Sequence, residues 1–320
     1  MLYYILSIAA LLSWSGSDLF SKMGTKEQDK NSHWKVVFAV GLIMGIHFFI
    51  TLIGGHIIDT FYGGPDNVHK VIASIFYTDF VPFDFIRYLP VAGLYILAMV
   101  FGYIGLRYIE LSISSPICNC SGALAFILCV IIGIFPTEDI TATVIIGIIL
   151  ITAGIVSLGF IEQREDDEVK KARQEKANRK YTKSILAFLL PISYLIIDAL
   201  GTVGDELIFE KTDITDYAAN SAFELTFFVL AIFAFMWLKL IKKNSVFSGN
   251  KHLFWGGLCE TIGQIFYMAV MFSDFSVGMV IISAYCAISV LWSRIFLKEA
   301  LSYKHYISII ATIIGIVILG

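Results

Sequence analysis

The sequence predicts an all-α polytopic membrane protein, ten transmembrane helices arranged as two inverted five-helix repeats. Three observations predict it. Of 320 residues, 58% are hydrophobic and 15% charged, where soluble domains are about a quarter charged. The apolar residues fall in blocks of about 20, the length that crosses a bilayer as a helix. The second half of the chain also repeats features of the first. Lipid offers no hydrogen bonds to the backbone, so such spans must be helices rather than open strands, and the alternation of barrel strands is not seen.

Taken in chain order, residues 2–22 read as a retained span, because no basic n-region precedes the apolar run. Residues 35–58 follow, with Gly41 and Gly45 at the spacing that lets helix backbones approach. The stretch 59–85, with YGGPDN and YTDFVPFDF, is expected as an outer loop or re-entrant segment. Spans at 86–107, 111–134 and 140–160 complete a first unit, residues 1–160. Residues 161–183, IEQREDDEVKKARQEKANRKYTK, are too charged for lipid and form a solvated linker. The second unit, 184–320, holds spans at 184–206, 216–241, 252–272, 276–297 and 302–319. Pro191 stands where it can break the sixth helix near its start, and Gly201 with Gly204 lightens the far end.

Charge gives the orientation. Of 23 basic side chains, only Lys70, Arg87 and Lys211 fall in one set of alternating loops. The others fall in the opposite set, which the positive-inside rule assigns to the cytoplasm. The linker is then cytoplasmic and both termini lie outside, in a multi-pass protein of the plasma (inner) membrane. The outer loops carry acids, among them Asp59, Asp66, Asp79, Asp84, Glu138, Asp139, Glu206, Glu210, Asp213, Asp216 and Asp274. Exclusion of bases suffices to explain that; the functional alternative is an outer mouth that attracts cations.

The repeat is visible residue by residue. Residues 102–159 lie on 263–320 without a gap, matching Gly102 with Gly263, Ile134-Phe135 with Ile295-Phe296 and Glu138 with Glu299. Gly154-Ile155-Val156 falls on Gly315-Ile316-Val317, and Leu158-Gly159 on Leu319-Gly320. Earlier in each half, Ser13, Trp14 and Asp18 correspond to Ser193, Tyr194 and Asp198. Five spans is an odd number, so the two units must enter the membrane with opposite orientation, a plan characteristic of secondary transporters with a site near the midplane.

The ending RIFLKEALSYKHYISIIATIIGIVILG, with Phe296 to Glu299 and Gly315 to Gly320, and the first-helix WSGSDLF resemble the drug/metabolite transporter superfamily of the EamA type. The first helix carries an extra serine after Trp14 relative to that family's Trp-Gly-Ser pattern. The charged linker and the long 59–85 segment also depart from a compact member. The resemblance implies alternating-access transport of a small polar metabolite and names no substrate.

An ionisable side chain in a span costs about 2.5–3.5 kcal/mol at the bilayer centre, so it is a functional candidate by default. The candidates for substrate binding or coupling are Asp18, Asp198, Glu224 and Glu260. Asp18 falls toward the cytoplasm and Asp198 toward the outside, with Glu224 sharing the outer level and Glu260 the inner one. Lys22 follows Asp18 by one helical turn, so an ion pair near the interface is the plain alternative for Asp18. Interhelical hydrogen bonding is the alternative for the glutamates. His47 is either a polar contact or a member of a proton relay.

No lysine or arginine is expected deep in a span, which disfavours an anionic nucleotide sugar. Carboxylates without bases favour a cationic or amine-bearing substrate, or protons. Trp14, Tyr194, Tyr267 and Tyr285 are candidates to offer ring faces to such a cation. The alternative is export or exchange of a neutral metabolite or amino acid. Five cysteines in the predicted spans have no CxxC or zinc spacing, so neither metal nor cofactor is expected. No HExxH or GxSxG motif occurs, and TVGDEL has Thr202 where intramembrane aspartyl proteases carry glycine. An enzyme is therefore not expected, nor a nucleic-acid partner. The partners are the bilayer and a small-molecule substrate, with proton coupling through a carboxylate that releases its proton when a cation arrives.

Overall fold

The protein is described by a computed structural model covering residues 2–26, 29–136, 141–165, 168, 171–172, 185–246, 250–271 and 281–319. Glu138, Asp139, Asp274, Gly320 and most of the charged linker lie outside the described residues. Every extended regular element among the described residues is helical. In order these are α1 Leu2–Gly24, α2 Ser32–Tyr62, α3 Lys70–Phe76, α4 Pro82–Gly105, α5 Leu111–Cys118 and α6 Ser121–Ile131. They continue with α7 Ala142–Arg164, α8 Ile185–Lys211, α9 Asp216–Met236, α10 Lys251–Met271, α11 Tyr285–Phe296 and α12 Tyr303–Leu319.

Local chemistry sets many of the ends. The Thr215 hydroxyl accepts from the Ala218 amide at 3.1 Å and starts α9; Thr141 does the same for α7 with Val144 at 3.3 Å. Pro82 opens α4, and Asp84 reaches back to the Val81 amide at 2.9 Å. The helix α2 stops at Gly63, whose φ of 75° suits a residue without Cβ.

Three expectations change. The predicted 59–85 loop is instead the end of α2, a short 3-10 turn and α3, which packs on α2 and α10. The predicted 111–134 span is interrupted around Asn119 and Cys120, giving α5 and α6. Pro191 does not break its helix: α8 runs through it unbroken, with the ring beside Gly105 of α4, where a small neighbour leaves it room.

Among the described residues six helical stretches are long and apolar enough to cross a bilayer, which makes this an integral membrane protein. They are Ser32–Tyr62, Pro82–Gly105, Leu111–Ile131, Ala142–Ile161, Ala187–Lys211 and Asp216–Ile241. Large apolar side chains such as Ile53, Ile149 and Ile307 face outward, a liability in water and the normal state in lipid. The helices α1 and α10 are long but diluted by Ser15, Ser17, Asp18, Glu260 and Gln264.

The main packing pairs are α1 with α10, α4 with α8, α2 with α9, and α7 with α12. Around these, α2 also meets α10, α4 meets α9, α1 meets α11, α6 meets α8, and α5 meets α11. The α2–α9 seam carries the deepest core, with Val37, Val40, Met44 and Phe227 all buried. The α7–α12 crossing is close because two glycines face it. A Cβ on Gly154 would run into Thr312 and the Ser308 carbonyl, and one on Gly315 would sit 2.7 Å from the Gly147 carbonyl and 2.8 Å from Ile151.

Overpacking that crossing costs about 1–3 kcal/mol. Gly154→Leu is therefore expected to lower the thermal unfolding temperature of the purified chain. Gly93→Ala, whose new methyl meets nothing within 4 Å, is expected not to lower it.

Candidate functional site

The carboxylates carried within the long helices fall into two groups with different surroundings. The first gathers around Asp18 of α1. Its Oδ2 accepts hydroxyls from Ser115 of α5 at 2.5 Å and Ser289 of α11 at 2.8 Å. One carboxylate oxygen thus ties three helices. Asp198 of α8 takes a hydrogen bond from Ser121 of α6, and Glu260 of α10 takes one from Ser17 of α1. Glu260 lies within electrostatic reach of both Asp18 and Asp198. Asp205 joins the group from two turns beyond Asp198, held by the Tyr88 hydroxyl at 2.6 Å and the Tyr95 hydroxyl at 2.9 Å. All four carboxyl-bearing residues are half-buried rather than sealed.

The four aromatic candidates are all at this group. The Trp14 ring lies 5.3 Å from that of Tyr267 and 5.8 Å from that of Tyr285. Tyr194 is within reach of Asp198 and Glu260, and Tyr285 of Asp18 and Glu260. Each half seats its aromatic in the same way: Trp14 lies against Gly263 of α10, and Tyr194 against Gly102 of α4. Any side chain at either glycine would displace the ring. Two donors in this region, Trp14 Nε1 and Tyr103 Oη, are buried with no hydrogen-bond partner among the described residues. Tyr103 stands within reach of Glu260 and Asp18.

Glu224 is placed elsewhere. It is wholly buried on α9, and its Oε1 lies 2.7 Å from His47 Nδ1 of α2. The far ring nitrogen of His47 points to the Ile75 carbonyl on α3 at 3.1 Å. Asn220 donates to Glu224 Oε1 at 3.3 Å and accepts from Gln264 of α10 at 3.0 Å. Glu224 is expected from the sequence at the outer level with Asp198; the contact the structure gives it is with His47, on the face of α9 that turns toward α2.

Lys22 also departs from its expected role as partner to Asp18. Its fully buried Nζ donates to the Leu106 and Ile109 carbonyls, both at 2.6 Å. The Leu106 carbonyl caps the C-terminal end of α4, where a cation is favourable, and that of Ile109 lies in the connection to α5. On the other side of the same junction Glu299 accepts from the Leu111 and Ser112 amides at 3.1 and 3.0 Å, and from the Ser112 hydroxyl at 2.8 Å. A cation thus closes one helix end and an anion opens the next. Arg107 adds a bond to the Lys30 carbonyl at 3.3 Å.

Sequence reasoning missed Asp205, although its seven-residue spacing from Asp198 puts both on one helix face. It also missed the hydroxyls of Ser17, Ser115, Ser121 and Ser289, which look like ordinary small residues of membrane helices. Among the described residues no three His, Cys, Asp or Glu side chains are grouped to hold a metal ion.

Removing Lys22 strands two buried carbonyls, a loss of about 1–3 kcal/mol for each group left unpaired. Lys22→Met is expected to lower the unfolding temperature clearly, while Asp18→Asn, which still accepts both serine hydroxyls, is expected to lower it less. The chain matches no family model and no curated protein sequence.

Proposed function

We propose that the chain is a secondary transporter of the drug/metabolite transporter kind, ten membrane-crossing helices in two inverted five-helix repeats, working by alternating access. Its substrate is a cationic or amine-bearing small metabolite held at Asp18, Asp198 and Glu260. The linker lies in the cytoplasm, the termini outside, and the membrane is the plasma (inner) membrane.

The inverted plan draws support from the packing. Number α1, α2, α4, α5 with α6, and α7 as spans one to five, and α8 to α12 as six to ten. Exchanging the halves then carries each of the principal packing pairs into another of them or into itself: α1–α10 becomes α8–α4, α2–α10 becomes α9–α4, and α1–α11 becomes α8–α6. The pairs α2–α9, α7–α12 and α5–α11 map onto themselves. The glycine contacts obey the same exchange. Trp14 on Gly263 becomes Tyr194 on Gly102, and Gly154 beside Thr312 becomes Gly315 beside Ile151.

The observation that carries the substrate reading is the acidic group itself. Glu260 lies within electrostatic reach of both Asp18 and Asp198, so carboxyl-bearing side chains from the two halves meet, each hydrogen-bonded by a serine hydroxyl. Like charges brought together away from bulk water repel more strongly than they do in water. A cation or a proton relieves that repulsion; a neutral sugar does not. Differential binding by the two access states then drives the cycle. The second reading, a neutral or zwitterionic amino acid, is favoured by one feature: Trp14 Nε1 and Tyr103 Oη are donors without partners, suited to an acceptor on the substrate.

The test is a thermal-shift screen of the purified chain against simple amines, amino acids, sugars and nucleobases, since a bound ligand stabilises the folded state. Amine-bearing compounds are expected to raise the unfolding temperature. Asp198→Asn and Glu260→Gln are each expected to weaken that binding at least about tenfold, or about 1.4 kcal/mol. Stabilisation by sugars or nucleobases alone, unchanged in both variants, would refute the cation reading.

A further inference from the structure

The His47–Glu224 pair lies outside the acidic group, and its geometry fixes how many protons it holds. His47 Nε2 faces the Ile75 carbonyl at 3.1 Å. A carbonyl only accepts, so Nε2 must carry hydrogen. His47 Nδ1 and Glu224 Oε1 are then 2.7 Å apart, a distance that needs one proton between them. It rides on the imidazole, giving an ion pair, or on the carboxyl, giving a neutral pair. Both descriptions contain one more proton than neutral histidine beside a carboxylate. Without it, two lone pairs would face each other at hydrogen-bond distance in a site where Glu224 is 0% and His47 6% exposed.

We propose that His47 and Glu224 form a one-proton coupling site that joins α2 to α9 when loaded, separate from the acidic group and linked to it. This rests on the transporter reading and assigns that reading's coupling proton to these two side chains. Loss of the proton converts the pair into neutral histidine and carboxylate, and the proton passes to water. Because Glu224 is closed to solvent, that transfer requires α2 and α9 to part at this level. Proton release and helix separation are therefore one event.

The link to the acidic group is a chain of amides. Asn220, one turn before Glu224, donates to its Oε1 at 3.3 Å and accepts from Gln264 at 3.0 Å. Gln264 lies on α10 one turn after Glu260, on the same face. The groups around the pair are Glu224 and Asn220 from α9, the Ile75 carbonyl from α3, Gln264 and beyond it Glu260 from α10, and Tyr95 from α4, packed on Phe223. Glu224 Oε2 is buried with no partner among the described residues. It is thus a position for the proton, or for a donor that arrives when the helices rearrange.

The test is nitrogen-15 NMR of the histidine rings in the full chain, held in nanodiscs and titrated from about pH 5 to 9, the range in which histidine charge changes. The six histidines are sorted by recording His47→Gln. The His47 ring is expected to titrate in a single step that is displaced or lost in Glu224→Gln. Saturating tetraethylammonium, placing positive charge at the acidic group, is expected to move that step down by about one pH unit, a tenfold coupling. A ring with no step, or a step indifferent to Glu224→Gln, overturns the one-proton site. A step that stays put while tetraethylammonium demonstrably binds overturns the coupling. If tetraethylammonium does not bind, the cation reading fails instead, and a His47 step lost in Glu224→Gln still supports the proton site.

Discussion

The structure depends on helices of one half packing against helices of the other. The principal contacts, α1 on α10, α4 on α8, α2 on α9 and α7 on α12, all cross between residues before and after the linker. In lipid the tails solvate an apolar side chain as well as another helix does, so association relies on close fit. That explains the value of Gly154 and Gly315 at one crossing and of Gly102 and Gly263 beneath the two aromatics. It also explains why the polar groups sit where they do. Among the described residues the principal packing seam runs between the halves, and Asp18, Asp198 and Glu260 lie on helices that form it.

Three kinds of buried charge share that interior, and they differ in what satisfies them. Lys22 and Glu299 are closed off and matched to helix ends, a structural use of charge against fixed backbone dipoles. Glu224 is sealed against a histidine, an arrangement of strict stoichiometry in which one proton decides the contact. Asp18, Asp198, Asp205 and Glu260 are half-buried, held by neutral hydroxyls and within reach of other acids. In the proposed reading this last set is the one that takes a mobile partner. A fixed cation would have neutralised it permanently; hydroxyls orient the carboxylates and leave the charge in place.

Much of the helical plan was legible because hydropathy in lipid is nearly a one-dimensional code, and most of the apolar blocks lie on helices close to their expected limits, while 111–134 is divided and the start of 276–297 lies outside the described residues. That Asp18, Asp198 and Glu260 call for a use or a partner was legible for the same reason, since a bare carboxylate in an apolar run is costly. The partners themselves were not. Lys22 looked like a companion to Asp18 because the two are neighbours in sequence, yet it reaches the end of α4. His47 and Glu224 are far apart in the chain, and nothing local announces their 2.7 Å contact. Helix rotation about its own axis decides such pairings, and weak amphipathicity in apolar helices leaves rotation unwritten. The break at Asn119–Cys120 was hidden for a related reason: Leu111–Ile131 keeps the hydropathy of one continuous span.

The inverted relation between halves is the centre of the proposed reading, because it is what would let both halves contribute to one site that opens to either side. Lys30, after α1, and Lys211, at the end of α8, occupy nearly equivalent places in the two units. Single cysteines at these positions, in a background with the five native cysteines replaced, can be tagged in sealed right-side-out vesicles with a membrane-impermeant maleimide. Inversion predicts that position 211 reacts from outside and position 30 only after the vesicles are opened. Labelling of both positions from the same side would contradict it.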